Sequence, residues 1–131
     1  MTRAALFAAL ASTLAAAPAL AVGLGPLRNE GTTLSERKGF YLTLINPYPG
    51  AHRFRMTAIG MEDETVQPRV VIPAGNPVLG AQSQRRLLVF ATGLKPGETM
   101  SFRVCAERDA PLEKELIHAR VCAKLVAHRR A

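Results

Sequence analysis

The sequence predicts an all-β protein whose main part is an antiparallel β-sandwich of seven strands. Three observations support this fold class. Clusters of Gly, Pro, Asn and Asp divide the chain at short intervals. The segments between them are short, and their apolar and polar residues alternate with a period of two rather than the 3.6 of a helix.

Each candidate strand lies next to one of these turn clusters. The clusters occupy residues 29–31, 46–50, 73–77, 95–97 and 109–111. The seven candidate strands between them are 22–29, 38–46, 52–60, 66–73, 84–91, 99–107 and 115–128. This number of short strands in one small domain is typical of a sandwich.

The alternation in four of these strands predicts which side chains face the core. The predicted inward sets are Phe40, Leu42 and Leu44; Phe54, Met56 and Ala58; Met100, Phe102, Val104 and Ala106; and Ile117, Ala119, Val121, Ala123, Leu125 and Ala127. Mostly polar and charged residues occupy the intervening positions, so we expect the other face of these strands to be solvated.

Residues 1–21 have the layout of a secretory signal peptide. Arg3 is followed by an apolar stretch, and the segment ends in Ala19-Leu20-Ala21, which fits an Ala-x-Ala cleavage site. A membrane anchor is the alternative, but the uninterrupted run Ala4–Ala11 is shorter than the roughly 20 residues of a spanning helix. We therefore expect export to the periplasm, a mature domain over residues 22–131, and no stable membrane insertion.

The chain has two cysteines, Cys105 and Cys122, and an even number in an exported protein favours a disulfide. Both fall on the polar faces of consecutive candidate strands, which is the arrangement that a bridge needs. If they face each other, Glu107 lies opposite Arg120 and Arg103 lies opposite Lys124. Two free thiols remain the alternative.

Several functional classes find little support in the sequence. The histidines are dispersed, and no nucleophile elbow, metalloprotease motif or phosphate-binding glycine loop occurs. Two thiols with His118 would supply only three metal ligands, and the acidic run 62–64 resembles a solvated turn. The formal net charge of +7 comes from arginines spread over the chain, and export argues against nucleic acid as a partner. We expect no enzyme activity, no cofactor and no metal.

The last candidate strand, 115–128, is long and amphipathic, with Lys124 on its polar face. It has two interpretations. It is either an ordinary sandwich strand or an edge that pairs with another chain, in which main-chain hydrogen bonds give affinity and alternate apolar side chains give specificity.

Five segments taken together resemble the amino-terminal domain of the periplasmic pilus-assembly chaperones, the PapD-like family. They are FYLTLINP at 40–47, PRVVIP at 68–73, QRRLLVF at 84–90, FRVC at 102–105 and ARVCAKLVAHR at 119–129. The resemblance rests on their order and spacing. It implies a seven-stranded immunoglobulin-like sandwich whose last strand is the G strand of the family.

The resemblance also implies a mechanism. These chaperones lend the G strand to an unfinished pilin subunit, while a cleft Arg and Lys bind the carboxylate at the subunit's C-terminus. Lys124 matches the G-strand lysine. The donated apolar positions match Ile117, Ala119 and Val121. Pro26 falls at the position of the family's arginine, but Arg28 is nearby, and we expect Arg28 to bind the subunit together with the four residues named above. A cysteine pair between the last two strands occurs in one subfamily.

The expected function is that of a single-domain periplasmic chaperone or accessory factor. Its partner would be a secreted pilin-like or coat subunit, with an outer-membrane usher as a further candidate partner. The family has two domains, with the carboxylate site between them, whereas one domain is expected here. The alternative is an exported structural or interaction module of the cell envelope without chaperone activity.

Overall fold

The computed structural model describes residues 22–109 and 119–131. Within these ranges the protein is an all-β sandwich with nine strands rather than the predicted seven. They are β1 (Gly23–Gly25), β2 (Arg28–Thr33), β3 (Lys38–Ile45), β4 (His52–Ile59), β5 (Val70–Val71), β6 (Val78–Leu79), β7 (Gln84–Ala91), β8 (Thr99–Arg108) and β9 (Val121–Arg129). The predicted fold class is confirmed. The expected signal peptide, residues 1–21, lies outside the described residues.

The strands form two sheets packed face to face. One has the order β1-β3-β7-β5, and the other has the order β2-β9-β8-β4-β6. All neighbours are antiparallel except β2 and β9, which run parallel with Arg28 beside Lys124 and Thr33 beside Arg129. Strand β9 therefore lies between β8 and β2 over most of its length.

The predicted first strand, 22–29, is wrong because the chain changes sheets within it. Strand β1 pairs with β3 as far as Gly25, and β2 then joins β9 in the opposite sheet. Pro26 stands between the two strands. A proline has no N–H to donate to a ladder, so continued pairing in the first sheet is disfavoured there.

One further predicted strand needs correction, and one observed strand was not predicted. Of 66–73, only Val70–Val71 forms a strand, while Val66 makes an isolated bridge to Ile59. Pro68, which cannot donate to a ladder, lies between these two pairings. Strand β6, with two residues, is too short for an alternation pattern to reveal it.

The core lies between the sheets and contains the predicted inward-facing residues of three strands. These buried side chains are Phe40, Leu42 and Leu44 of β3, Phe54, Met56 and Ala58 of β4, and Met100, Phe102, Val104 and Ala106 of β8. The edge of Phe40 contacts Phe102 across the sandwich, with ring centroids 6.3 Å apart. The alternation thus identified the core faces correctly.

The last strand begins later than predicted. Strand β9 starts at Val121, and its residues Ala123, Leu125 and Ala127 are buried. Ala119 and Arg120 precede it without strand structure, and residues 115–118 lie outside the described residues. No helix in the two described ranges has the length and apolar character that crossing a membrane requires.

The predicted register between the last two strands is confirmed. Cys105 lies opposite Cys122 and forms a disulfide with it, and Arg103 lies opposite Lys124. Arg120 differs from the prediction because it lies outside the ladder. Its guanidinium binds Glu64 with two hydrogen bonds of 2.8 and 2.9 Å, although Glu107 also attracts it.

Candidate functional site

A row of three cations crosses the outer face of the five-stranded sheet. Arg28 on β2 and Arg103 on β8 are the register partners of Lys124 on β9, one on either side of it. Residues paired in register on adjacent strands project on the same face. The pairing of β2 with β9 therefore brings together Lys124, which matches the family's G-strand lysine, and Arg28, which lies near the position of the family's arginine.

The three cations differ in their hydrogen bonding. Arg103 donates to the carbonyl oxygens of Gly60 and Asp63 at 2.8 and 2.9 Å, so its guanidinium is already engaged. The side chains of Arg28 and Lys124 are exposed and have no hydrogen-bond or ion-pair partner within residues 22–109 and 119–131. They are the two members of the row that are free to bind an anion.

A cavity of about 130 Å³ lies at this pair. It is lined by Arg28, Asn29, Glu30, Met61, Lys124 and Val126. The two cations contribute charge, while Met61 and Val126 provide apolar walls. A carboxylate attached to an apolar group is the kind of ligand that such a mixture of walls suits.

Met61 belongs to the loop 60–65, which two arginines hold on the sheet. Arg103 donates to two carbonyl oxygens of this loop, and Arg120 forms a bidentate ion pair with the carboxylate of Glu64. The hydrogen bond from Arg120 lowers the pKa of Glu64, and the same bond raises the pKa of Arg120. Both side chains are thus held in their charged forms, and the loop that carries Met61 is held in place.

The beginning of β9 is open on one side. Strand β2 first pairs with β9 at Lys124, whose N–H donates to the carbonyl of Leu27 at 2.8 Å. Within the described chain, no strand occupies that side of Val121, Cys122 or Ala123. The N–H and C=O groups of successive residues in a strand point to opposite sides. The N–H and C=O of Cys122 therefore point to the same side as those of Lys124, away from β8.

The predicted subunit-binding residues fall into three groups. Arg28 and Lys124 are neighbours. Val121 is the first residue of β9 and packs partly against the core, and Ala119 lies two residues before it, half-buried. Ile117 lies outside the described residues. Beyond Lys124, β9 is an interior strand, so the interpretation as an edge applies only to its beginning.

Sequence reasoning missed Met61, Glu30 and Glu64 as neighbours of this site. Glu64 was part of an acidic run taken for a solvated turn, and its pairing with Arg120 spans 56 positions in the sequence. Three consecutive acidic residues in a chain rich in arginine were a signal that this turn has cationic partners.

The two histidines in the described ranges, His52 and His128, provide no second site. His128 shares a hydrogen bond of 2.7 Å with the Thr99 hydroxyl, and His52 packs edge-on against Tyr48. Within the described ranges, no group of three His, Cys, Asp or Glu residues is placed to hold a metal ion.

Comparison with known proteins reveals the fold but no close relative. No protein-family model and no curated protein sequence matches the chain. Among solved structures, it is similar to the E. coli chaperone DraB, with 20% identity and a TM-score of 0.66 over 83% of this chain and 55% of that chain. It is also similar to a chain of the Salmonella enterica complex of SafA pilin with the SafB chaperone, with 20% identity and a TM-score of 0.70 over 88% of this chain and 58% of that chain.

A third structure is PapD-like domain 7 of human CEP192, with 12% identity and a TM-score of 0.65 over 98% of this chain and 99% of that chain. The protein therefore has the immunoglobulin-like fold of PapD-like domains. It spans a little over half of the length of the chaperone chains that it matches. None of these three structures is described as an enzyme.

Proposed function

We propose that this protein is a periplasmic chaperone or accessory factor that holds a secreted pilin-like or coat subunit by β-strand addition at the beginning of β9. The subunit's C-terminal carboxylate binds between Arg28 and Lys124. The observation that carries the proposal is the position of this unpartnered cation pair, at the point where β2 begins to cover β9.

The geometry supports strand addition followed by carboxylate binding. A strand that pairs with β9 before Lys124 lies in line with β2, on the same side of β9. If it runs parallel to β9, as β2 does, its C-terminal end arrives beside Arg28 and Lys124. Main-chain hydrogen bonds to Cys122 provide affinity, and the cation pair stops the strand in one register.

The apolar residues at this edge define the complementary surface of the subunit. Val121 and Ala119 alternate along it, and Ile117 continues the pattern beyond the described residues. Because the side chains of Val121 and Ala119 are small, the subunit groove that receives them is shallow at those positions.

Export and domain organisation belong to the same proposal. Residues 1–21 act as a cleaved signal peptide, residues 22–131 form the mature immunoglobulin-like domain, and the protein works in the periplasm. An outer-membrane usher is a second partner. The matched chaperone chains are longer than this one. The proposal therefore includes the claim that this one domain is sufficient for chaperone function.

Co-expression with a pilin-like subunit encoded beside this protein tests the proposal. The double substitution Ile117→Asp with Lys124→Ala is expected to lower the periplasmic yield of folded subunit strongly, because it removes one donated side chain and one anchor cation. Lys95→Ala, which removes a lysine outside the site, is the matched control. An unchanged subunit yield in the double variant would show that the strand-addition hypothesis is wrong.

An exported interaction or structural module without chaperone activity is the second candidate. The match to PapD-like domain 7 of human CEP192 favours it, because that match covers nearly all of both chains. This candidate predicts a stable monomer or homodimer, and no accumulation of misfolded subunit when the protein is deleted.

A further inference from the structure

Glu30 lies at the rim of the Arg28–Lys124 pair. It follows Arg28 by two residues on β2, so both side chains project on the outer face, with Cα atoms about 7 Å apart. Glu30 lines the cavity that contains Arg28 and Lys124, and it also lines an adjoining cavity of about 250 Å³ with Thr32 and His128. The anion site therefore has a carboxylate as its next neighbour on the strand.

The charge of Glu30 is not neutralised by an arginine. Glu64, Glu98 and Glu107 each form an ion pair with an arginine side chain. Glu30 has no such pair within residues 22–109 and 119–131, and its register partner is the apolar Val126. A fixed negative charge thus acts on any anion that binds between Arg28 and Lys124.

We infer that Glu30 lowers the preference of the Arg28–Lys124 site for a doubly charged phosphate relative to a single carboxylate. The inference rests on the proposed function, since it concerns the same site. If the bound anion lies about 7 Å from the Glu30 carboxylate, repulsion in water weakens the binding of a monoanion about threefold and that of a dianion about sevenfold. A terminal carboxylate therefore loses less affinity through Glu30 than a doubly charged phosphate does.

The net positive charge of the protein explains why discrimination between anions at this site matters. With a formal net charge of +7, the chain attracts phosphate-bearing polyanions nonspecifically. An exposed pair of cations without a nearby carboxylate would bind them too. Glu30 reduces the attraction of this site for groups that carry two negative charges.

Two small anions test the inference directly. Protein expressed from the full sequence and labelled with ¹⁵N is titrated at low ionic strength and about pH 8 with acetate or with inorganic phosphate. The amide shifts of Leu27, Arg28 and Lys124 report binding. Glu30→Gln is expected to raise the affinity for acetate about two- to threefold and the affinity for phosphate about sevenfold. Glu36→Gln, which removes the same charge beyond the far end of β2, should leave the ratio of the two affinities unchanged.

Lys124→Ala separates failure of the inference from failure of the proposed function. If Lys124→Ala abolishes binding of both anions while Glu30→Gln leaves their affinity ratio unchanged, the selectivity role of Glu30 is overturned and the anchor stands. If Lys124→Ala changes neither affinity, or if the unmodified protein shows no shifts with either anion, the anchor and the inference both fall. Circular dichroism spectra of all variants verify that each is folded.

Discussion

Asn46 illustrates how one polar side chain can organise several turns. It is fully buried, and its amide nitrogen donates to the carbonyls of Gly50, Leu79 and Gly80 at 2.9 to 3.2 Å. Its side-chain oxygen accepts the N–H of Tyr48 at 2.9 Å. The Asn46 side chain therefore links the turn after β3 to the end of β6, and it forms hydrogen bonds with these backbone groups inside the protein.

Asn46→Ala is expected to lower the free energy of unfolding by about 2–4 kcal/mol, because it removes the hydrogen bonds of a fully buried side chain and leaves the Tyr48 N–H without its acceptor. Asn46→Asp should be worse at pH 7, since it places a carboxylate against carbonyl oxygens. Denaturant unfolding measures both changes, with the exposed Asn76→Ala as control. An effect of Asn46→Ala no larger than that of the control would contradict this role.

Glu98 and Arg69 form the second interaction that is important at the scale of single residues. Arg69 binds both carboxylate oxygens of Glu98 at 2.9 and 2.6 Å and also donates to the carbonyls of Thr92 and Gly93. The hydrogen bond from Arg69, aided by one from the Lys95 N–H, lowers the pKa of Glu98 to about 2. The pair joins the loop before β5 to the loop that leads into β8.

This lowered pKa predicts a specific acid sensitivity. A carboxylate whose pKa is lower in the folded state stabilises the fold above its unfolded pKa of 4.5, and the contribution is lost as pH falls towards 2. Glu98→Gln should therefore lower the melting temperature at pH 7 and flatten its decline between pH 4.5 and 2. The control is Glu62→Gln, since Glu62 has no ion pair among the described residues. Parallel pH curves for Glu98→Gln and the unmodified protein would refute this prediction.

At the scale of elements, the relation between β2 and β9 decides where the protein can bind another chain. Parallel pairing with β2 makes β9 an interior strand from Lys124 onward. The disulfide joins the uncovered beginning of β9 to β8 through Cys122 and Cys105, whose Cα atoms are 4.0 Å apart. The disulfide therefore holds this segment on one side, and on the other side no strand of residues 22–109 and 119–131 covers it.

Hydrogen exchange measures this asymmetry. In the free protein, the Cys122 amide should exchange much faster than that of Lys124, whose N–H is bonded to the Leu27 carbonyl. Ala123 serves as the internal control, because its amide faces β8. Binding of a subunit by strand addition should protect the Cys122 amide. If Cys122 is as protected as Ala123 in the free protein, this edge is covered.

At the scale of the whole molecule, contacts between the two sheets hold the sandwich together. Phe102 on β8 is fully buried and contacts Phe40 on β3 in the opposite sheet. Residues from seven strands contribute to one continuous cluster around them. Loss of a central aromatic side chain should therefore weaken the packing of both sheets.

Phe102→Ala is expected to destabilise the protein by about 3–5 kcal/mol, the usual cost of removing a large aromatic side chain from a packed core. Val78→Ala, at a position that is 55% exposed, should cost far less. Thermal or denaturant unfolding compares the two. A similar small effect for both variants would show that Phe102 is not central to the core.

The accuracy of sequence reasoning followed the strength of the local pattern. Strands β3, β4, β7 and β8 were predicted to within one residue at each end, because alternation and turn residues act over a few neighbouring positions. Neither the change of sheet near Pro26 nor the two-residue strand β6 produces an alternating pattern in the sequence. At the site, Arg28 and Lys124 were named, but their adjacency depends on a pairing between the two ends of the domain.

The amino-acid sequence by itself determined the fold class, the inward-facing core residues and, once Cys105 and Cys122 are paired, the register of the last two strands. These follow from side-chain periodicity and from the geometry of a single pair of consecutive strands. Only the tertiary structure decided that Arg28 lies beside Lys124, that Arg103 and Arg120 hold the loop bearing Met61, and that β9 is open only at its beginning. Those contacts join residues far apart in the chain, and which distant segments pair is decided by how the whole core packs.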